Sequence, residues 1–232
     1  MALGLKDKPN ELRAVLEWAR AAGLFHKPKP GFRPGCPVHA AKLKGLLQRS
    51  MTSNDVIPRR WHGCRNQLSG SIPPELSNIG ALQSLDLSDN LISGWIPKTF
   101  SELKNLRLLS LFYNEMSGEV PDGIAELPSL ETLLLWNNLF SGNLPRSLGR
   151  NSKLGWVDVS TNNFNGSVPP DICANGQLLK LMLFSNNFSG DLSTSLSNCS
   201  SLVRLRLEDN KFSGEIPLKF STLTCVKFEP YM

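Results

Sequence analysis

The 232-residue chain has no run approaching the ~20 consecutive apolar residues that a membrane-spanning helix needs, so no segment is expected to cross a bilayer. Its first residues, Met-Ala-Leu-Gly-Leu-Lys-Asp-Lys, lack the apolar stretch of a secretory leader. Histidine is scarce: the 3 present, His26, His39 and His62, all precede the periodic part of the chain. There is no phosphate-binding glycine loop and no Gly-x-Ser-x-Gly elbow. Cys36-x-x-His39 and His62-x-Cys64 fit the spacing of no standard zinc finger. These absences leave no catalytic residue, metal or cofactor to assign, and the expectation is a non-enzyme.

What is present is a period. Asparagine recurs every 24 residues, at Asn66, Asn90, Asn114, Asn138, Asn162, Asn186 and Asn210. Eight, five and three places before each of the last six stand Leu82, Leu85, Leu87; Leu106, Leu109, Leu111; Leu130, Leu133, Leu135; Leu154, Val157, Val159; Leu178, Leu181, Leu183; and Leu202, Leu205, Leu207. A unit this short cannot bury its own apolar face, so it must stack on its neighbours as a solenoid. The expected class is an α/β-type solenoid with 6 complete parallel strands, residues 1–60 lying outside them. Side chains alternate along a strand, so the last two apolar positions point inward, while those six, four and two before the asparagine point outward. Each asparagine carboxamide is expected to satisfy backbone groups where the chain turns, joining coil to coil. A Gly-x-Ile-Pro loop or a variant follows, as in Gly94 to Pro97, with glycine for the turn and proline for the return path. Leu192-Ser193 replaces Ile-Pro in one repeat and is expected to loosen that coil.

The halves differ in charge. Residues 1–65 carry 13 Lys/Arg against 4 Asp/Glu, a net +9, whereas residues 66–232 carry 12 against 16, a net −4. A helix is expected around Leu12, Val15, Leu16 and Ala19, followed by the linker Lys27-Pro28-Lys29-Pro30-Gly31. The segment has no nucleic-acid-binding motif and few aromatics to stack on bases, so it reads as a solvated arm without a nucleic-acid partner. It reads equally as the product of a mis-spliced gene. Residues 218–232 leave the pattern again, which divides the chain into 1–65, 66–217 and 218–232.

Over residues 66–217 the consensus Leu-x-x-Leu-x-Leu-x-x-Asn-x-Leu-Ser-Gly-x-Ile-Pro resembles the plant-type leucine-rich repeat, an arc with its parallel sheet on the concave face. The chain is similar to the extracellular part of plant leucine-rich-repeat receptor-like kinases, particularly those that read small secreted peptide hormones. That resemblance implies the outer side of the plasma membrane, a short peptide ligand and a leucine-rich-repeat co-receptor kinase. It also implies a capping domain ahead of the repeats. Trp61-His62-Gly63-Cys64 resembles part of such a cap, but Pro58, Trp61 and Gly63 fall where a repeat needs apolar residues.

Candidate binding residues lie in the outward row. Arg204 and Arg206 project from one strand, with Lys180 in the column of Arg204 one coil earlier. Two guanidinium forks suit a carboxylate, such as the free end of a peptide. The plainer reading is that Arg206 pairs with Glu208, or that both arginines are solvated. Resemblance favours the first, since this family's peptide receptors carry an Arg-x-Arg pair that holds the hormone's terminal carboxylate. Phe112, Trp136 and Phe184, with Tyr113, Leu134, Met182 and Trp156 nearby, give the same face an apolar column. Of the 5 cysteines, Cys173 and Cys199 are one coil plus two residues apart, a spacing that suits either a disulfide or two buried thiols. Asn165, Asn187 and Asn198 head glycosylation sequons away from the outward row. The alternative function is a non-catalytic interaction scaffold, or a truncated fragment without a ligand.

Overall fold

Leucines at the inward strand positions are worth burying only against the next coil, and the computed structural model stacks them that way. It describes residues 59–65, 68–197, 199–214 and 225–226. The expected helix around Leu12 to Ala19, Asn66, the sequon residue Asn198, Cys36, His26 and His39 lie outside the described residues. Among those described, 8 parallel strands form the concave sheet. In chain order they are Arg60–His62, Ser84–Asp86, Leu108–Ser110, Thr132–Leu134, Trp156–Asp158, Lys180–Met182, Arg204–Arg206 and Cys225–Val226. Between successive repeats the register advances by a full repeat, as in Ser84 opposite Leu108 and Lys180 opposite Arg204.

The sheet therefore begins one coil before the expected 6 strands. Arg60 pairs with Ser84, and the Gly63 N–H donates to the Asp86 carbonyl at 2.6 Å. Backbone pairing needs no leucine pattern. Gly63 contributes no side chain, but a Cβ there would lie 3.1 Å from Leu87 and 3.3 Å from Leu68, so these leucines already fill its inward position. At the other end Cys225 pairs with Arg204, which closes that coil three residues short of the repeat.

A second parallel sheet of 7 strands runs along the side of the solenoid. It is built from the residues just after each asparagine: Ser69–Ser71, Leu91–Gly94, Glu115–Gly118, Leu139–Gly142, Asn163–Gly166, Asn187–Asp191 and Lys211–Ser213. Its inward residues include Phe140, Phe164, Phe188 and Phe212, whose rings stack with centroids 6.1, 6.0 and 6.1 Å apart. Between the sheets one hydrophobic core runs from Leu68 to Leu207.

The asparagines rivet the coils. Asn138 Oδ1 accepts from the Met116 N–H at 3.0 Å, while its Nδ2 donates to the carbonyls of Leu111 at 2.9 Å and Leu135 at 3.1 Å. The same pattern repeats at Asn90 and Asn210. The residue before each asparagine adopts the left-handed region, with φ of 52 to 57° from Arg65 to Asp209, Tyr113 and Thr161 included. Non-glycine residues enter that region only under local constraint. Pro73, Pro97 and Pro121 take φ of −69, −58 and −60° and lead into short helical turns on the return path. Where Leu192-Ser193 replaces Ile-Pro, the strand Asn187–Asp191 runs straight into the helix Leu192–Leu196, with Leu192 and Leu196 buried. The missing proline lengthens the strand, and the coil stays packed.

Candidate functional site on the concave sheet

Register places the three cations as a connected group. Lys180 lies opposite Arg204, and Trp156 opposite Lys180, so these residues form one column across three strands. Lys180 Nζ sits 4.3 Å from the centroid of the Trp156 ring, a cation–π contact on a ring still 36% exposed. Arg204 is exposed, and among the described residues it makes no ion pair.

Arg206 is different. Its Nε donates to Glu208 Oε1 at 2.9 Å and its guanidinium carbon stands 4.0 Å from the centroid of Phe184. Its side chain keeps 24% exposure and that of Glu208 only 8%. The plainer reading of the sequence thus describes Arg206, whose fork is tied to a carboxylate of its own strand. Among the described residues, the buried Glu208 Oε2 has no hydrogen-bond partner. The Glu208 pairing is one of the two readings of the sequence; what alternation does not show is that the Phe184 ring lies against the same guanidinium.

The aromatic column is broken into two clusters. Phe112 and Trp136 stack with centroids 4.7 Å apart and planes at 13°, and Tyr113 meets Trp136 edge-on at 4.4 Å. Phe184 stands two strands further on, beneath Arg206. Between them is Ser160, only 1% exposed. Leu134 and Met182, expected on the outward face, are only 8% and 5% exposed.

Sequence reasoning missed Asp158. It points outward between Leu134 and Met182, and its Oδ1 accepts the Ser160 N–H at 3.2 Å and the Ser160 hydroxyl at 2.6 Å. Burial pushes its carboxyl pKa up, opposed by the Ser160 hydrogen bonds and by the charges of Arg206 and Arg204. The pattern that could have revealed it is Asp-x-Ser, which occurs also at Asp86 and Ser88 with the same hydroxyl contact at 2.6 Å.

Away from this face, a disulfide joins Cys173 to Cys199 with Cα atoms 5.2 Å apart. Asn165 and Asn187 are exposed neighbours on adjoining strands of the second sheet. A shallow cavity of about 430 Å³, lined by Asn162, Asn163, Ser185, Asn187 and Asp209, follows the ridge between the sheets and does not reach the arginines. Among the described residues no cluster of three His, Cys, Asp or Glu converges as a metal site, and no helix is long and apolar enough to cross a membrane.

Comparison with known proteins agrees with the repeat fold. The leucine rich repeat family matches residues 65–116, 80–140 and, in a second form, 201–223. No curated protein sequence matches the chain. Among solved structures, the chain is similar to a TDR receptor with 52% identity and a TM-score of 0.66, over 68% of this chain and 27% of that one. It is similar to the ectodomain of the Arabidopsis receptor kinase HAESA, solved with an IDA peptide hormone, with 35% identity and a TM-score of 0.65, over 72% and 33% of the two chains. A Pollen Receptor Kinase 3 is 30% identical with a TM-score of 0.55, over 64% and 77%. The chain thus spans about a quarter of the TDR receptor chain and a third of the HAESA ectodomain. With the repeat ladder, the two sheets and these likenesses together, the chain belongs to the plant leucine-rich-repeat receptor kinases.

Proposed function

We propose that residues 66–217 are a non-catalytic ligand-binding module of a plant receptor. The module lies on the outer side of the plasma membrane and takes a short secreted peptide along the concave sheet, its free carboxylate at Arg204 and Arg206. The observation that carries this reading is the cation column: exposed Arg204 stands beside half-buried Lys180 in register, with an aromatic cluster further along the same face. Family membership supports the ligand class, since the similar HAESA ectodomain was solved with a peptide hormone. From the strand of Phe112 to that of Arg206 is four strand steps, or roughly 19 Å, which accommodates about six residues of extended peptide. A leucine-rich-repeat co-receptor kinase is the second partner proposed. Glycans on Asn165 and Asn187 stand on the second sheet and leave the concave face open.

The scaffold alternative draws on one observation, the engagement of Arg206 by Glu208. Binding of free-carboxylate peptides against their amidated copies decides between the two. A module reading the carboxylate discriminates, and a scaffold whose arginines are only structural does not.

A further inference from the structure

Resting on that reading, the concave face carries a second polar element that the arginines do not explain. The hydrogen bonds from Asn137 N–H to the Ser160 carbonyl at 3.0 Å, and from Thr161 N–H to the Phe184 carbonyl at 2.9 Å, align Trp136, Ser160 and Phe184 as successive members of one column. The two rings stand about two strand spacings, roughly 9.6 Å, apart, with the buried serine between them. The serine hydroxyl is already committed to Asp158 Oδ1 at 2.6 Å, so it offers a bound chain no donor of its own.

Asp158 lies beside that serine and is half-buried. Its column neighbours, Leu134 and Met182, are apolar and buried, so they give its charge no partner. Among the described residues Oδ2 takes no hydrogen bond, and no cation lies within 4.0 Å of the carboxylate. Arg204 and Arg206 act on it only from a distance. A half-buried acceptor facing a bound chain without a partner favours a donor from that chain.

The surroundings choose the kind of donor. Lys180, Arg204 and Arg206 occupy the next two strands, so a cationic side chain entering here meets three like charges. An acidic side chain faces Asp158 itself, and an apolar one leaves its carboxylate desolvated. A hydroxyl or carboxamide supplies a donor without a charge. Spacing chooses the position: Asp158, Met182 and Arg206 stand in one column, two strand steps end to end. At ~3.3 Å per residue, roughly 9.6 Å is about three residues of extended peptide. We propose that Asp158 is a specificity-determining residue, reading a neutral hydrogen-bond donor on the side chain about three residues before the peptide's free carboxylate.

The test uses the full 232-residue chain, disulfide intact, and positional-scanning libraries of octapeptides with free and with amidated carboxy termini. Each sublibrary fixes one residue at one position, and bound peptide is quantified. At the third residue before the end, Ser, Thr, Asn and Gln should exceed Val, Lys and Glu by about tenfold, the worth of one charge-assisted hydrogen bond. Asp158→Ala should flatten that preference to within about twofold while discrimination against amidated termini persists. Asp158→Asn keeps the side chain's shape and an acceptor for Ser160 but turns the other atom into a donor, so Glu should become tolerated there. A cooperative thermal transition no lower than the parent's guards against misfolding. A preference that is absent, or that survives both substitutions while the free carboxylate is still required, overturns the role of Asp158 and leaves the arginine reading standing. Equal binding of free and amidated libraries, or no selection at any position, overturns both.

Discussion

Replacing Asn138 by alanine removes one rivet from the middle of the solenoid. Four backbone contacts go with it: the Met116 N–H held at 3.0 Å by Oδ1, and the carbonyls of Leu111, Leu135 and Trp136 reached by Nδ2 at 2.9, 3.1 and 3.4 Å. The last is long and adds little. Asn138 is only 8% exposed, so water does not readily replace the carboxamide, and each orphaned buried group costs about 1 to 3 kcal/mol. Three such groups, relaxing partly, should total roughly 3 to 5 kcal/mol, a large share of the ~5 to 15 kcal/mol that holds a domain together. Chemical denaturation gives the total, and amide exchange locates it, since Met116 should lose protection more than Met182 does. Solenoid stability is a sum over neighbouring coils, so Asn210→Ala, in the last of the seven coils, should cost less. A loss below about 1 kcal/mol at Asn138, or equal losses at both positions, would refute the rivet account.

Other expectations follow from the same geometry. Arg206→Ala should destabilise by roughly 2 kcal/mol, discounted from the buried-pair range because Arg206 keeps 24% exposure, and Arg204→Ala by under about 0.5 kcal/mol; equal shifts in thermal melts would contradict the inequivalence. The folded pKa of Asp158 is raised above its ordinary value, so its favourable contribution is complete below that value and is lost as pH rises through the folded pKa. Asp158→Asn should therefore melt above the parent at pH 7, with the gap closing by about pH 3, and a gap that widens on acidification would reverse the sign of the argument. Reducing Cys173–Cys199, which spans 26 residues, should cost about 3 kcal/mol, and denaturation with and without reductant that coincided would show the coil needs no staple.

Much of this architecture was legible because the chain repeats its instructions. Leu85 and Leu87 recur as Leu109 and Leu111, and one carboxamide per coil stands where backbone groups need partners, so fold class, inward face and ladder all follow. The second sheet was not legible. A segment such as Leu91-Ile92-Ser93-Gly94 alternates too briefly to mark a strand, and its glycine reads as a turn. The first coil was hidden for the opposite reason: Gly63 breaks the pattern, yet neighbouring leucines fill its place. At the site, register set Lys180 beside Arg204 as alternation predicts, and the Glu208 pairing of Arg206 is one of two open readings, but alternation says nothing about which holds or about Arg206 lying over Phe184. Those contacts depend on side-chain direction along and across strands, which spacing alone does not encode.

The central claim is that Arg204 and Arg206 receive a peptide's free carboxylate, and one double-mutant cycle tests it most directly. Calorimetric titration would compare the parent chain with Arg204→Ala, using the best octapeptide from the libraries in free and amidated forms. Each change alone should cost roughly 1.5 to 3 kcal/mol, the worth of a charged hydrogen bond, and the two together little more than one, because each removes half of the same interaction. Fully additive losses, or an amide that binds as tightly as the acid, would contradict the account.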